Sequence, residues 1–121
     1  MSVFFDIPEE QWIIETDYFF IIKDKYPVTE GHLLIVSKRK VSDFFDLNSD
    51  EQAELTKAIH LCKQHLVNTY GNTDYNIGIN CGESAGQTVF HFHCHVIPRR
   101  KGDVRDPRGG VRHSVVGKGY Y

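Results

Sequence analysis

Near its C-terminal end the chain has a histidine at every second position of the segment 91–95, with apolar residues between the histidines. A β-strand points successive side chains to opposite faces, so this alternation predicts a strand with three histidines on one face. Because a strand rises about 3.3 Å per residue, neighbours on that face lie about 6.6 Å apart. The other face is expected to enter a hydrophobic core. The histidines are His91, His93 and His95, and the core-facing residues are Phe92, Cys94 and Val96.

The rest of the pattern predicts an α+β fold with a mainly antiparallel sheet of about five strands, because there is no regular strand–helix–strand alternation. Asn48 followed three residues later by Glu51 is a helix N-cap signature, and the apolar stripe after it ends before Gly71. We therefore expect one long helix and one short helix. The other predicted strands cover residues 11–15, 18–22, 32–37 and 75–80.

Composition predicts a single soluble domain over 1–121, since no apolar run is long enough to span a bilayer and no secretory signal opens the chain. Three cysteines without a Cys-x-x-Cys pair leave an odd thiol, which predicts a reducing, cytoplasmic setting. The tail at 99–121 carries seven Lys or Arg against two Asp, and this basic segment suits an anionic ligand. No zinc finger or DNA-binding module is recognisable, so neither a membrane nor a nucleic-acid partner is expected.

Three histidines in a row suit either metal ligation or phosphate transfer. Alternate histidines on a strand commonly bind zinc through neutral imidazole. The same row can instead surround one phosphate as nucleophile and hydrogen-bond partners. The preceding residues 85–88 offer backbone, amide and hydroxyl donors that suit phosphate oxygens, and few carboxylates lie nearby. These neighbours favour phosphate, while a metal remains the alternative.

Two segments resemble the histidine triad (HIT) family. The segment 85–99, AGQTVFHFHCHVIPR, resembles the family signature, and 27–35, PVTEGHLLI, resembles an earlier block of the family at a fitting distance. The likeness covers nearly the whole chain and is nearest to the fragile-histidine-triad and diadenosine-polyphosphate hydrolase branch, with its bacterial relatives. It implies a HIT-like fold and a nucleotide hydrolase or transferase acting at the α-phosphate of adenine nucleotide conjugates. Diadenosine polyphosphates and adenosine phosphoramidates are the implied substrate types, cleaved through a covalent nucleotidyl-histidine.

The resemblance also implies a role for each matching residue. His93 would be the nucleophile, with its second ring nitrogen held by the backbone carbonyl of His91. His95 would bond a non-bridging phosphate oxygen, and His32 would orient and polarise the triad. The other implied substrate contacts are Asp24 at the ribose, Asn80, Gly86, Gln87 and Thr88 around the phosphates and leaving group, and Phe4, Ile7, Ile22 and Leu34 around the purine.

The sequence departs from the family at a structural metal. Many bacterial relatives bind zinc through a Cys-x-x-Cys pair, a later histidine and the first triad histidine, but the first three positions are here Ser2, Phe5 and Lys40. We therefore predict no metal and no cofactor, with magnesium entering only on the substrate. The family implies a homodimer. Two other functions stay open: a non-catalytic nucleotide-binding regulatory module, and a metal-dependent hydrolase that uses the histidines as ligands.

Overall fold

The computed structural model describes residues 3–121, which form a five-stranded antiparallel sheet with one long helix packed on it. The elements are β1 (Ile14–Glu15), β2 (Phe19–Lys23), β3 (Leu33–Ser37), α1 (Ser49–Tyr70), β4 (Asp74–Gly78) and β5 (His93–Arg99). The strand order is β1-β2-β3-β5-β4, so the histidine strand is paired on both edges. This architecture confirms the predicted α+β fold class. Within residues 3–121 no helix has the length and apolar character needed to cross a bilayer.

Helix α1 begins and ends at the predicted signals. The Asn48 side chain accepts the Glu51 backbone N–H at 2.9 Å, and the Glu51 carboxylate accepts the Asn48 N–H at 2.9 Å, which satisfies two helix-start donors. Gly71 ends the helix with φ +75°, a left-handed conformation that favours glycine. Glu51 is buried and also pairs with Arg39 at 2.7 Å, so the cap fixes the helix to the segment after β3.

The sheet divides the apolar residues into two groups. The group under α1 contains the core-facing residues of β5, as the alternation predicts. On the other face a second cluster, here called the open-face cluster, is formed by Phe4, Phe20, Ile22, Leu34 and Val36. In the β3–β5 register Leu34 lies opposite His95 and Val36 lies opposite His93. The open-face cluster therefore lies beside the histidines on the same face of the sheet.

The strand predicted over 75–80 runs two residues past the end of β4, and two other predicted strands begin at least two residues too early. Residues Glu9–Gln11 form a 3₁₀ turn after Pro8, with the Trp12 N–H bonded to the Glu9 carbonyl, so β1 begins only at Ile14. The predicted histidine strand begins at His93 instead of His91, because the Phe92 N–H bonds to the Val41 carbonyl at 2.7 Å, outside the sheet ladder. Residues 3–121 contain no second α-helix; the short helical segments are instead five 3₁₀ turns between the main elements.

The basic tail is folded. The Tyr120 hydroxyl donates to the Asp106 carbonyl at 3.2 Å, and the His113 ring lies 4.6 Å from the Tyr120 ring. A Cβ placed on Gly110 would lie 3.3 Å from the amide nitrogen of Asn76, so the tail rests closely against β4. It forms a turn on the β4 side of the sheet and does not extend away from the domain.

Candidate active site

The position of a proton on His93 follows from its backbone partner. His93 Nδ1 lies 2.8 Å from the backbone carbonyl oxygen of His91. A carbonyl only accepts, so Nδ1 carries the hydrogen and the lone pair of the neutral ring lies on Nε2. The half-buried side chain belongs to the same strand face as the open-face cluster, with the Phe4 ring 5.1 Å away. His93 thus has the tautomer that a nitrogen nucleophile requires.

A second chain of hydrogen bonds fixes the tautomers of His32 and His95. The Val28 backbone N–H donates to His32 Nδ1 at 3.2 Å, so the hydrogen of neutral His32 lies on Nε2. His32 Nε2 lies 2.9 Å from His95 Nδ1 and donates to it. The remaining hydrogen of His95 must then lie on Nε2. His95 therefore offers an N–H donor, and His93 offers a lone pair two residues away on the same face.

Asp24 lies beside this histidine pair. Its Oδ2 is 3.3 Å from His32 Nε2 and 3.9 Å from His95 Nδ1, while Oδ1 accepts the Tyr26 N–H at 2.8 Å. Burial lowers the pKa of His32, and the Asp24 charge opposes that effect. Burial, followed by the nearby His93 and His32, lowers the pKa of His95 to about 4, again opposed by Asp24. Both rings are therefore neutral near pH 7, in agreement with the hydrogen-bond chain.

The group Asp24, His32 and His95 also has the composition of a metal site. One ligand atom from each lies within 4.8 Å of the others. A metal on His32 Nε2 would require a hydrogen on His32 Nδ1, which here faces the Val28 N–H. The Val28 N–H and the N–H of His32 Nδ1 would then be two hydrogen-bond donors that face each other. The hydrogen bonds of His32 fit a neutral histidine pair better than a pair of metal ligands.

The His91 side chain is enclosed by the protein, so it does not belong to the row of three histidines that the alternation predicts. It is fully buried, and its Nε2 donates to the Ser37 carbonyl at 2.7 Å. Among the described residues its buried Nδ1 has no hydrogen-bond partner. The Phe5 ring lies 4.9 Å from the His91 ring, and burial, with smaller effects of His93 and Lys40, lowers the His91 pKa. Phe5 and Lys40, at two expected zinc positions, therefore do lie near His91, whereas Ser2 lies outside the described residues.

The loop before β5 contains the predicted phosphate contacts, but its residues differ in accessibility. Gln87 is buried: its amide nitrogen donates to the Ser42 carbonyl at 2.6 Å and to the Val89 carbonyl at 3.1 Å, and its oxygen accepts the Gly82 N–H at 2.8 Å. Its side chain is used inside the protein and fastens the loop. Thr88 and Gly86 are exposed, and Asn80 is exposed after the end of β4. Of these residues, Gly86 and Thr88 lie in the same loop as Gln87, while within residues 3–121 no hydrogen bond joins the Asn80 side chain to a histidine.

The four predicted purine contacts are brought together. Phe4, Ile22 and Leu34 belong to the open-face cluster, and Ile7 packs against it. The Phe4 ring also lies 5.4 Å from the His91 ring, so this apolar surface reaches the triad. An aromatic and aliphatic surface beside a nucleophile suits an aromatic base.

The sequence places the chain in a family. Residues 7–102 match the sequence profile of the HIT domain. The chain belongs to the HIT domain family.

Three relatives place this HIT domain among known proteins. It is 38% identical over 80 residues to the asymmetrical bis(5′-nucleosyl)-tetraphosphatase of Schizosaccharomyces pombe, covering 66% of the chain and 44% of that protein. The crystal structure of Caenorhabditis elegans NitFhit matches with a TM-score of 0.77 at 34% identity, over 89% of the chain and 26% of NitFhit. A zinc-bound histidine triad protein from Mycobacterium smegmatis matches with a TM-score of 0.73 at 35% identity, over 87% and 78% of the two chains. The chain thus spans less than half the length of the first two.

Two contacts beside the candidate site of this HIT domain have no signal in the sequence pattern. The Val28 backbone N–H fixes His32, but a backbone donor has no signal in the residue type. Trp12 stacks on Phe20 at 4.3 Å beside the open-face cluster, from a segment whose pattern predicts an ordinary strand.

The thiols of Cys62 and Cys94 are buried in the core, and burial raises the pKa of each to about 12, so neither is a reactive nucleophile.

Proposed function

We propose that this chain is a nucleotide hydrolase or transferase that cleaves adenine nucleotide conjugates at the α-phosphate through a covalent nucleotidyl-His93 intermediate. The observation that carries the proposal is the 2.8 Å hydrogen bond from His93 Nδ1 to the His91 carbonyl. It fixes the tautomer in which the lone pair of the unprotonated ring lies on Nε2, beside an N–H donor on His95. This pair supplies both a nucleophile and a donor for phosphate charge.

In the proposed first step His93 Nε2 attacks the α-phosphorus. A nitrogen–phosphorus bond forms, the bond from phosphorus to the leaving group breaks, and the leaving group takes that electron pair. His95 Nε2–H donates to a non-bridging oxygen, and the His91 carbonyl stabilises the charge on the His93 ring. Water then attacks phosphorus, the electron pair returns to Nε2, and a proton is released to solvent. Two displacements of this kind release a nucleoside monophosphate and regenerate neutral His93.

The nucleoside is proposed to lie over the open-face cluster, with Asp24 accepting from the ribose hydroxyls. Gly86 and Thr88, with Asn80 after β4, would then approach the α-phosphate and the scissile bridge, while Gln87 holds the loop in place. The yeast relative is named a bis(5′-nucleosyl)-tetraphosphatase, which supports a dinucleoside polyphosphate as one substrate class. Adenosine phosphoramidate is the second substrate proposed.

A metal-dependent hydrolase is the second candidate, favoured by the donor atoms of Asp24, His32 and His95. A purely regulatory nucleotide-binding module is the third, but binding alone requires no nucleophile of fixed tautomer. The hydrogen bond to His32 Nδ1 supports metal-free chemistry, with magnesium entering only on the substrate.

One experiment separates these three functions. Purified protein is incubated with labelled diadenosine tetraphosphate or adenosine phosphoramidate, with and without EDTA, and samples quenched with detergent at alkaline pH, where a phosphorus–nitrogen bond is stable, are examined for labelled protein. We expect AMP release from the phosphoramidate with EDTA present, and a labelled intermediate that His93→Ala abolishes. His60→Ala is the matched control, because His60 is an exposed histidine of α1. Loss of phosphoramidate turnover with EDTA would favour the metal, and tight binding without turnover would favour the regulatory module.

The assembly and setting are proposals as well. We propose a homodimer, as the family resemblance implies, in the cytoplasmic setting that the three cysteines predict, without membrane or nucleic-acid partners. β4 is an edge strand with the exposed Ile77, so it has an unpaired edge that a second copy can meet. Light scattering at micromolar concentration tests this: twice the chain mass is expected, and a monomer would contradict it.

A further inference from the structure

A cleft of about 500 Å³ lies at the end of β5 beyond His95. Its size falls within the range of about 300–1,000 Å³ found for small-molecule sites. The function proposed above uses none of its walls. The residues that line it include Val28, Asn76, Ile97, Arg99, Arg100 and Val104; we call it the Arg99 cleft.

The Arg99 cleft adjoins the histidine pair on two sides. Ile97 and Arg99 continue the alternation of β5 on the face of His93 and His95, so Ile97 lies about 6.6 Å beyond His95. Val28 lines the cleft with its side chain, while its backbone N–H bonds to His32. A molecule bound in the cleft would therefore lie directly next to the His32–His95 pair.

The polar wall of the cleft is held in place before any ligand binds. Arg99 Nε and Nη2 donate to the two oxygens of Asp103, each at 2.8 Å, and Nη1 donates to Asn76 at 2.6 Å. These bonds use three of the five guanidinium N–H groups, so two remain for a ligand. The Thr29 hydroxyl donates to the Pro98 carbonyl at 2.8 Å and ties the loop before β3 to β5. A site fixed in this way loses little entropy on binding.

The charge of the cleft indicates which kind of ligand it suits. Arg99 and Asp103 neutralise each other, and Arg100 and Glu30 form no ion pair with any described residue. The wall therefore has no net charge, and Val28, Ile97 and Val104 add apolar surface. A bare polyphosphate chain would prefer a cationic wall. A nucleoside instead needs an apolar surface for its base and hydrogen-bonding groups for its sugar.

We propose that the Arg99 cleft binds the leaving-group nucleoside of a dinucleoside polyphosphate. The inference rests on the proposed function: one nucleoside lies over the open-face cluster, the α-phosphate lies at His93, and the second nucleoside occupies the cleft. In this arrangement the phosphates next to it bind the two free N–H groups of Arg99 and the Arg100 guanidinium, which also lies over the Tyr70 ring at 5.4 Å. A phosphoramidate has only an amine as its leaving group and does not reach the cleft.

The test compares two substrates in matched variants. Ile97→Trp fills the cleft, and Arg100→Ala removes a cation from its wall; Lys101→Ala is the control, a neighbouring exposed cation that does not line the cleft. For each variant kcat/KM is measured with diadenosine tetraphosphate and with adenosine phosphoramidate. We expect both cleft variants to lose about tenfold with the dinucleotide, as for the loss of a charged hydrogen bond, and less than about twofold with the phosphoramidate. Lys101→Ala should resemble wild type with both substrates.

The outcomes distinguish the subsite from the function on which it rests. A wild-type protein that turns over neither substrate would refute the proposed function. An active wild type whose Arg100→Ala variant loses equally with both substrates, or with neither, would overturn the subsite alone. Circular dichroism shows whether Ile97→Trp is folded, and the partly buried Arg100 position gives the answer if it is not.

Discussion

His32 Nε2 lies 2.9 Å from His95 Nδ1, and the Val28 backbone N–H occupies the other nitrogen of His32. One backbone amide thus determines, through two rings, which nitrogen of His95 carries a hydrogen. His32 has this effect without facing the phosphate itself, so we regard it as a positioning residue. Because of this arrangement, the catalytic rate should also depend on residues other than His93 and His95.

Replacing His32 should therefore lower kcat through His95. His32→Phe removes the donor to His95 Nδ1, and we expect kcat for the phosphoramidate to fall about 10²-fold, as for the loss of one aligned transition-state donor. His32→Gln, whose amide can donate to His95, should recover part of that loss. Steady-state kinetics with both variants measure the effect. Equal activities in His32→Phe and wild type would contradict the tautomer argument.

The neutral His95 also predicts how stability changes with pH. Because its pKa is lowered to about 4, the unfolded chain binds a proton more readily than the folded one between that pH and the ordinary value near 6.5. The unfolding free energy should be highest above pH 6.5 and should fall as pH drops towards 4, by at most about 3 kcal/mol from His95. Urea denaturation at pH 7, 5.5 and 4.5 measures this. His95→Asn should remove the part of the slope due to His95 and leave that of His32 and His91, whose pKa values burial also lowers; His60→Asn, at an exposed position, is the control.

We also expect the purified protein to contain no stoichiometric zinc. Phe5 and Lys40 stand near His91 where relatives supply ligands, and neither an aromatic ring nor a cationic amine replaces a thiolate or imidazole. Dialysis against EDTA should leave the melting temperature unchanged. Metal analysis of protein purified without added zinc is the direct check, and one zinc per chain would show the prediction to be wrong.

Gly31, directly before His32, should tolerate no side chain. Its φ is +93°, and a Cβ there would lie 2.8 Å from Tyr70 Cε2. We expect Gly31→Ala to lower the unfolding free energy by about 2 kcal/mol, from the strained backbone and this contact. Gly78→Ala is the control, because a Cβ there meets open space, and its change should stay within about 0.5 kcal/mol. Similar losses in the two variants would contradict this explanation.

Much of this structure follows from local pattern. The cap at Asn48, the end at Gly71 and the inward side of β5 all depend on residue type and spacing, which the sequence displays directly. The strand ends were harder to predict, because a long-range bond from Phe92 to Val41 decides where β5 begins. The family resemblance indicates which residues are candidates but not which groups they bond to. Gln87 lies in the loop before β5, yet its amide forms hydrogen bonds within the protein. The Arg99 cleft combines three distant segments, and no single stretch of sequence predicts it.

The anchoring of Gln87 has a chemical consequence. One amide nitrogen serves two carbonyls, Ser42 and Val89, and one amide oxygen serves the Gly82 N–H. Deamidation to glutamate would exchange that nitrogen for an oxygen and set it against both carbonyls. This single replacement, of NH₂ by OH with a mass increase of about one dalton, would be enough to loosen the loop that leads to the nucleophile, because the carboxylate formed has no N–H to donate.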